Sequence, residues 1–305
     1  MTSSAAVLPL APAPWRLAVA QRLPVIVVVL ALVVIWYVAA VLMNMSLVRD
    51  TFEREETQYT TGQLLVETLS AERPLVPAPH QVVETFVDGV FGYPITSPRS
   101  LVYHSWVTLS ATFVGFLLGT AFGTALAVLV VHMRTLEKSL LPWIICSQMV
   151  PILAVAPIVI VVLGAIGIQG LLPKSIISAY LCFFPVTIGM VKGLNSPDPI
   201  QRDLMRTWSA TPAQVFWKLR FPAALPFLFA SLKVAITISL IGAIVGELPT
   251  GAQAGIGARL LAGSYYGQTL QIWAALLSAS LLAAALVSLT GFAERWFAAR
   301  MGAQP

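Results

Sequence analysis

Charge is the scarcest resource in this chain. Asp, Glu, Lys and Arg together make 10% of its 305 residues, while 58% are hydrophobic. A soluble domain carries about 25% charged residues, so this composition could not cover a water-facing surface and excludes an ordinary soluble enzyme. The chain is expected to be all-α and to cross a membrane several times. Cysteine is nearly absent. Cys146 and Cys182 both fall in apolar stretches, where a small buried hydrophobe is the default reading, and no metal-ligand spacing accompanies them. His80, His104 and His132 are dispersed, and none reads as a ligand or base. No G-x-x-x-x-G-K-[ST] sequence occurs, so the chain does not hold nucleotide through a P-loop. The basic balance of +5 gives no support to nucleic-acid binding, because cations beside apolar spans report orientation.

Six spans are expected. Pro24 to Met43 is charge-free, and it is longer than the core of a cleavable signal, about 7 to 15 residues. Val107 to Val131 carries Gly115, Gly119 and Gly123 on one helix face, a spacing suited to close helix packing. Leu140 to Pro173 is too long for one untilted span and holds Pro142, Pro151 and Pro157; it reads as a broken helix to about Gly164, then a turn. Ile176 to Leu194, Ala223 to Val245 and Leu270 to Phe292 complete the set, with Lys233 the single charge inside a span. Lys233 is expected to snorkel to an interface and meet backbone carbonyls. With the amino terminus inside, the inner segments sum to +7 and the outer ones to −3, which follows the positive-inside bias and puts both termini in the cytoplasm.

The expected organisation is a tail (1–23), a first span (24–43), an external loop (44–105), a five-span core (106–293) and a second tail (294–305). The external loop divides into a polar insert, with a surface helix across Thr51 to Arg73, and an amphipathic helix carrying Val82, Val83, Phe86, Val87 and Val90. The inner connection at 195–222 places Ile200, Leu204 and Trp208 in one stripe of a short helix. A break at Ser209 to Pro212 follows, with Ser209 or Thr211 as cap and Pro212 in the first turn of a second helix. The result is a helix-turn-helix element with basic and aromatic residues on its outer surface.

That element resembles the EAA loop of the membrane subunits of bacterial ABC importers, whose consensus is E-A-A, three residues, Gly, and a closing Leu-Pro. Asp203, Leu204 and Met205 stand at the E-A-A position, Ser209 at the glycine, and Leu225-Pro226 at the closing pair. Phe221 lies near the end of the second helix. Serine at the glycine position is tolerable only where the backbone does not need φ > 0. Further resemblance to the nitrate, sulfonate, taurine and pyrimidine-precursor permeases runs over most of the chain after residue 75. It includes Pro-Ala-Pro at 77–79, the glycine-bearing second span, the proline-rich third segment, Phe183-Phe184-Pro185, and Glu247 followed by Gly255-Ile256-Gly257.

The resemblance implies a type I importer permease of the bacterial cytoplasmic membrane, without catalytic chemistry or a cofactor of its own. Its implied partners are a cytoplasmic ATPase that carries ATP and Mg, a second permease copy, and a periplasmic or lipid-anchored solute-binding protein. The implied coupling residues are Asp203, Leu204, Met205, Trp208, Ser209, Ala210, Phe216, Phe221, Pro222, Leu225 and Pro226. Trp208, Phe216 and Trp217 supply apolar docking area, and Pro222 with Pro226 stiffen the junction to the next span. Gln148 and Glu247 are candidates for the translocation path. Glu247, at a span end, otherwise reads as solvated. A secondary transporter or channel is the alternative, and it would want ionisable residues at the midplane. A small organic solute is the preferred substrate class.

Overall fold

A computed structural model describes residues 14–249 and 253–300. The distal parts of both expected tails, and the side chains of Arg16 and Arg22, lie outside the described residues. All regular structure among them is helical, and the chain divides into two compact units, 1–83 and 84–305.

In the first unit, α1 (Pro14–Arg54) contains the first span and continues eleven residues beyond the expected end at Met43. The expected surface helix at 51–73 is therefore two pieces: the last turn of α1 and a separate α2 (Thr61–Ser70), started by a reciprocal Thr60/Gln63 capping box. Pro74 and Pro77 keep the segment 71–78 out of a helix, so its backbone needs other partners. Asn44 of α1 supplies them. Its fully buried amide accepts from the Leu75 and Val76 N–H groups at 2.7 and 3.2 Å and donates to the Val76 carbonyl at 2.7 Å. Trp36 Nε1 donates to the Pro77 carbonyl at 3.0 Å.

The amphipathic helix forms as α3 (Pro79–Phe91). In the second unit its Phe86 and Val90 pack on Leu101, Ile256 and Ala274. The helices that follow are α4 (Leu101–His132), α5 (Arg134–Ser147), α6 (Ile152–Ala165) and α7 (Leu171–Leu194), then α8 (Pro199–Thr207), α9 (Pro212–Val215), α10 (Phe221–Glu247), α11 (Ile256–Tyr265) and α12 (Thr269–Arg300). The core sits where α7 lies between α4 and α10. Gly115, Gly119 and Gly123 face α7 as their spacing predicts: a methyl at Gly119 would stand 2.7 Å from the Cys182 Cβ. On the other flank a methyl at Gly193 would stand 2.9 Å from Ala224. Backbones this close allow side-chain hydroxyls to bridge them. Thr187 donates to the Gly123 carbonyl at 3.1 Å, Ser178 to the Ser239 carbonyl at 2.8 Å, and Ser239 to the Thr112 carbonyl at 3.0 Å.

The expected broken third segment is a bent pair. α5 and α6 meet at 96°, and the break falls at 148–151, with Pro151 at the start of α6. Pro142 and Pro157 lie inside helices. The Tyr180 hydroxyl donates to the Ser147 carbonyl and ties the bend to α7. Among the described residues, five helices are long and apolar enough to cross a membrane, or six spans if the bent pair is counted as one. Cys182 is buried as expected, whereas Cys146 is exposed. Lys233 of α10 forms an ion pair with Glu294 of α12; a carboxylate from the last helix replaces the expected carbonyls.

Candidate functional site

The polar and aromatic residues singled out by sequence gather at opposite ends of the second unit. At one end, Asp198 and Gln201 form a capping box, and Pro199 occupies the first turn of α8. Ile200, Leu204 and Trp208 form the expected stripe and stand in the open, 77%, 49% and 71% exposed. Asp203 is exposed and paired with Arg206 at 3.2 Å. α8 ends with the Ser209 N–H bonded to the Arg206 carbonyl at 2.9 Å and the Ala210 N–H to the Met205 carbonyl at 3.0 Å. This is the Schellman arrangement, which requires a left-handed residue between helix and exit. Ser209 is that residue, with φ +52°. The position does need φ > 0, so a strained serine stands where the resembled consensus has glycine.

Thr211 then caps the second helix. Its hydroxyl accepts from the Gln214 N–H at 3.3 Å, and the Gln214 amide accepts from the Thr211 N–H at 2.8 Å, with Pro212 in the first turn. α9 runs through a wider, π-type turn at Phe216–Arg220 directly into α10. Together they make one helical run from Pro212 to Glu247. The widened turn precedes Pro222, whose ring and missing N–H cannot fit an ordinary helical turn. Phe216 and Phe221 turn inward against the core that includes Met190 and Leu194, and the Phe216 ring lies 5.3 Å from His132. Of the expected docking aromatics, Trp208 and Trp217 face outward, at 71% and 63% exposed, and Phe216 does not. Met205, Ala210 and Leu225 are half-buried; Ser209, Pro222 and Pro226 are exposed.

At the opposite end, Glu247 is fully buried, contrary to the solvated reading. Its carboxylate accepts the Thr108 hydroxyl at 2.9 Å and the Gly257 N–H at 2.9 Å, with Lys174 Nζ 3.9 Å away. The same Thr108 oxygen accepts the Ile256 N–H at 2.8 Å, and Lys174 donates to the Ala254 carbonyl at 2.9 Å. His104 completes the set: Nδ1 accepts the Gly255 N–H at 3.0 Å and Nε2 faces the Pro98 carbonyl at 2.8 Å. A neutral ring with its proton on Nε2 satisfies both contacts. Four side chains from α4, α7 and α10 thus fasten residues 254–257. A side chain at Gly255 would collide with the Glu247 carboxylate, and one at Gly257 with the Ile244 carbonyl, which explains the Gly-Ile-Gly sequence there.

A cavity of about 870 Å³ adjoins this knot, with Tyr103, Ser110, Gln169, Lys174 and Gln253 among its lining residues. Neither path candidate lines it. Glu247 is consumed by protein groups, and half-buried Gln148 bonds the Ser147 hydroxyl at 3.4 Å. Sequence reading missed Thr108 and Lys174 and passed over His104 as dispersed.

Small-residue packing of long apolar helices, a helix-turn-helix at one end and a tied polar knot at the other define a helical, multi-pass membrane protein. The family model described as "Binding-protein-dependent transport system inner membrane component" matches residues 115–303, and the chain belongs to that family. It is 34% identical over 182 residues to a probable ABC transporter permease protein of Haemophilus influenzae, covering 60% of this chain and 72% of that one. It is 32% identical over 224 residues to a riboflavin transport system permease protein of Chloroflexus aurantiacus, covering 72% and 78%. A formylaminopyrimidine transport permease protein of Halalkalibacterium halodurans is 31% identical over 183 residues, covering 60% and 68%. The chain is accordingly a multi-pass membrane permease subunit of an ABC transport system.

Proposed function

We propose that this subunit forms half of an importer. It pairs with a second copy of itself, receives solute from an extracytoplasmic binding protein and is driven by a separate cytoplasmic ATPase that docks on α8 and α9. The observation that carries the reading is the capped helix pair with Ile200, Leu204, Trp208 and Trp217 exposed and its second helix continuous with α10. Large apolar side chains held open on a rigid element suit a protein partner, and an unbroken helix passes a displacement of that partner into the bundle without slack. The excess of cations in the segments on this side supports the reading that the α8–α9 end and both termini are cytoplasmic. The 870 Å³ cavity is lined by Tyr103 and the amides of Gln169 and Gln253, and its Lys174 is engaged by Ala254 and Glu247. That lining favours a small neutral organic solute over a dedicated anion, in keeping with relatives named for riboflavin and formylaminopyrimidine.

The test uses the transporter reconstituted in vesicles with its ATPase and binding protein. Deleting 209–212, or introducing Ser209→Asp, is expected to abolish uptake while hydrolysis continues and the subunit stays in the membrane. Wild-type uptake in both variants would refute the coupling role.

A further inference from the structure

A second cavity, of about 360 Å³, opens at the Glu247 end of the same unit, lined by Asp88 of α3, Tyr93 and Arg99 of the following linker, Arg259 of α11, and Gln268 and Gln271 near the start of α12. It shares no lining residue with the larger cavity. Neither cation is in an ion pair: the ion pairs among the described residues are Lys174–Glu247, Arg206–Asp203 and Lys233–Glu294, so Arg99 and Arg259 share the cavity with Asp88 without pairing to it. Arg259 Nε is buried with no hydrogen-bond partner. Burial pushes the Arg259 guanidinium down from its usual range, and Tyr93 opposes the shift. An unmet guanidinium donor out of water is costly, and its fork geometry matches a carboxylate.

Arg259 also sits two residues beyond Gly257, whose N–H enters the Glu247 carboxylate. A ligand gripping Arg259 therefore pulls on the first turn of α11 and on the fastened segment 254–257. A socket placed this way reports occupancy to the knot beside the larger cavity.

We propose that this cavity receives an acidic side chain of the solute-binding protein, gripped by Arg259 and Arg99, and that its arrival loads the 254–257 segment. The proposal rests on the importer reading, which puts this end outside. Asp88, also in the lining, lowers the net charge of the socket to +1 and so weakens its hold on a free anion, whereas a carboxylate presented on a protein surface arrives with the rest of an interface to hold it.

The assembled transporter in nanodiscs of zwitterionic lipid is titrated with its cognate binding protein, at several salt concentrations. Arg259→Gln is expected to weaken binding tenfold or more and to flatten its salt dependence, with Arg259→Lys in between. Arg99→Glu is expected to weaken it as well and to be rescued by a Lys placed at one acidic surface position of the binding protein. Monodisperse elution of each variant separates these effects from misfolding. Affinity within twofold of wild type and an unchanged salt slope would overturn the socket. So would a loss of affinity restored by adding anionic lipid, which would mark the cavity as a lipid-headgroup site. No binding to the wild-type transporter would refute the importer reading itself.

Discussion

The two ends of the second unit solve opposite problems. Around Glu247, a carboxylate, an ammonium, an imidazole and a hydroxyl are taken out of water and satisfied by one another and by the backbone of 254–257. Around α8 and α9, two tryptophans, a leucine and an isoleucine are left in water on a helix pair with both starts capped. The knot around Glu247 is complete within the chain, although Arg259 beside it is not; the α8–α9 face is ordered but unfinished. The difference separates a tie made by the chain's own groups from a face that the proposed coupling to a second protein would cover.

Breaking the completed end has the largest expected effect. Glu247→Ala strips the counter-charge from half-buried Lys174 and leaves the Gly257 N–H unmet; loss of one partner of a buried pair costs about 3–5 kcal/mol. It should appear as a large drop in thermal unfolding temperature in detergent, with Glu247→Gln milder. A drop no larger than that of a surface substitution would remove the distinction between the ends. Next comes the packing that joins them. Gly119→Val forces α4 off α7 at Cys182 and is expected to cost about 1–3 kcal/mol as overpacking, read by the same melt. At the open end, Ser209→Gly relieves left-handed strain and should stabilise by about 1 kcal/mol without impairing uptake; lowered stability would contradict the φ of +52°. The smallest effect is expected from Lys233→Met, since its pair with Glu294 is half-exposed and such pairs contribute up to about 1 kcal/mol.

The four-residue glycine spacing marks a close helix contact, and Ser209 or Thr211 before Pro212 marks the start of a helix, because each depends on residues a turn apart; that the contact is with α7 and the cap is Thr211 comes from the structure. Ser209 was half-read: the consensus glycine flagged the position, but only the backbone shows that the demand for φ > 0 persists with serine in place. The knot was not legible. Thr108 lies 139 residues from Glu247, and a lone acidic residue at a span end looks the same in sequence whether water or protein surrounds it. The third segment is a broken helix ending near Gly164, as expected, but which of its prolines makes the break is not legible in the sequence, for a related reason. Three prolines compete there, and the one that stops the chain is chosen by packing, with Tyr180 holding Ser147. Lys233 and Glu294 find each other only once α10 and α12 are adjacent.

The proposed docking of the ATPase falls on the exposed aromatic face around α8 and α9, at Trp208 and Trp217. The direct test is the affinity of the purified permease for its ATPase, compared between wild type and the Trp208→Ala/Trp217→Ala double variant. Buried aromatic anchors dominate such interfaces, so affinity should fall by roughly tenfold or more while the melting temperature of the permease alone falls little, because both side chains are mostly exposed and only Trp217 touches Phe216 and Phe221. Undiminished affinity in the double variant would contradict the account.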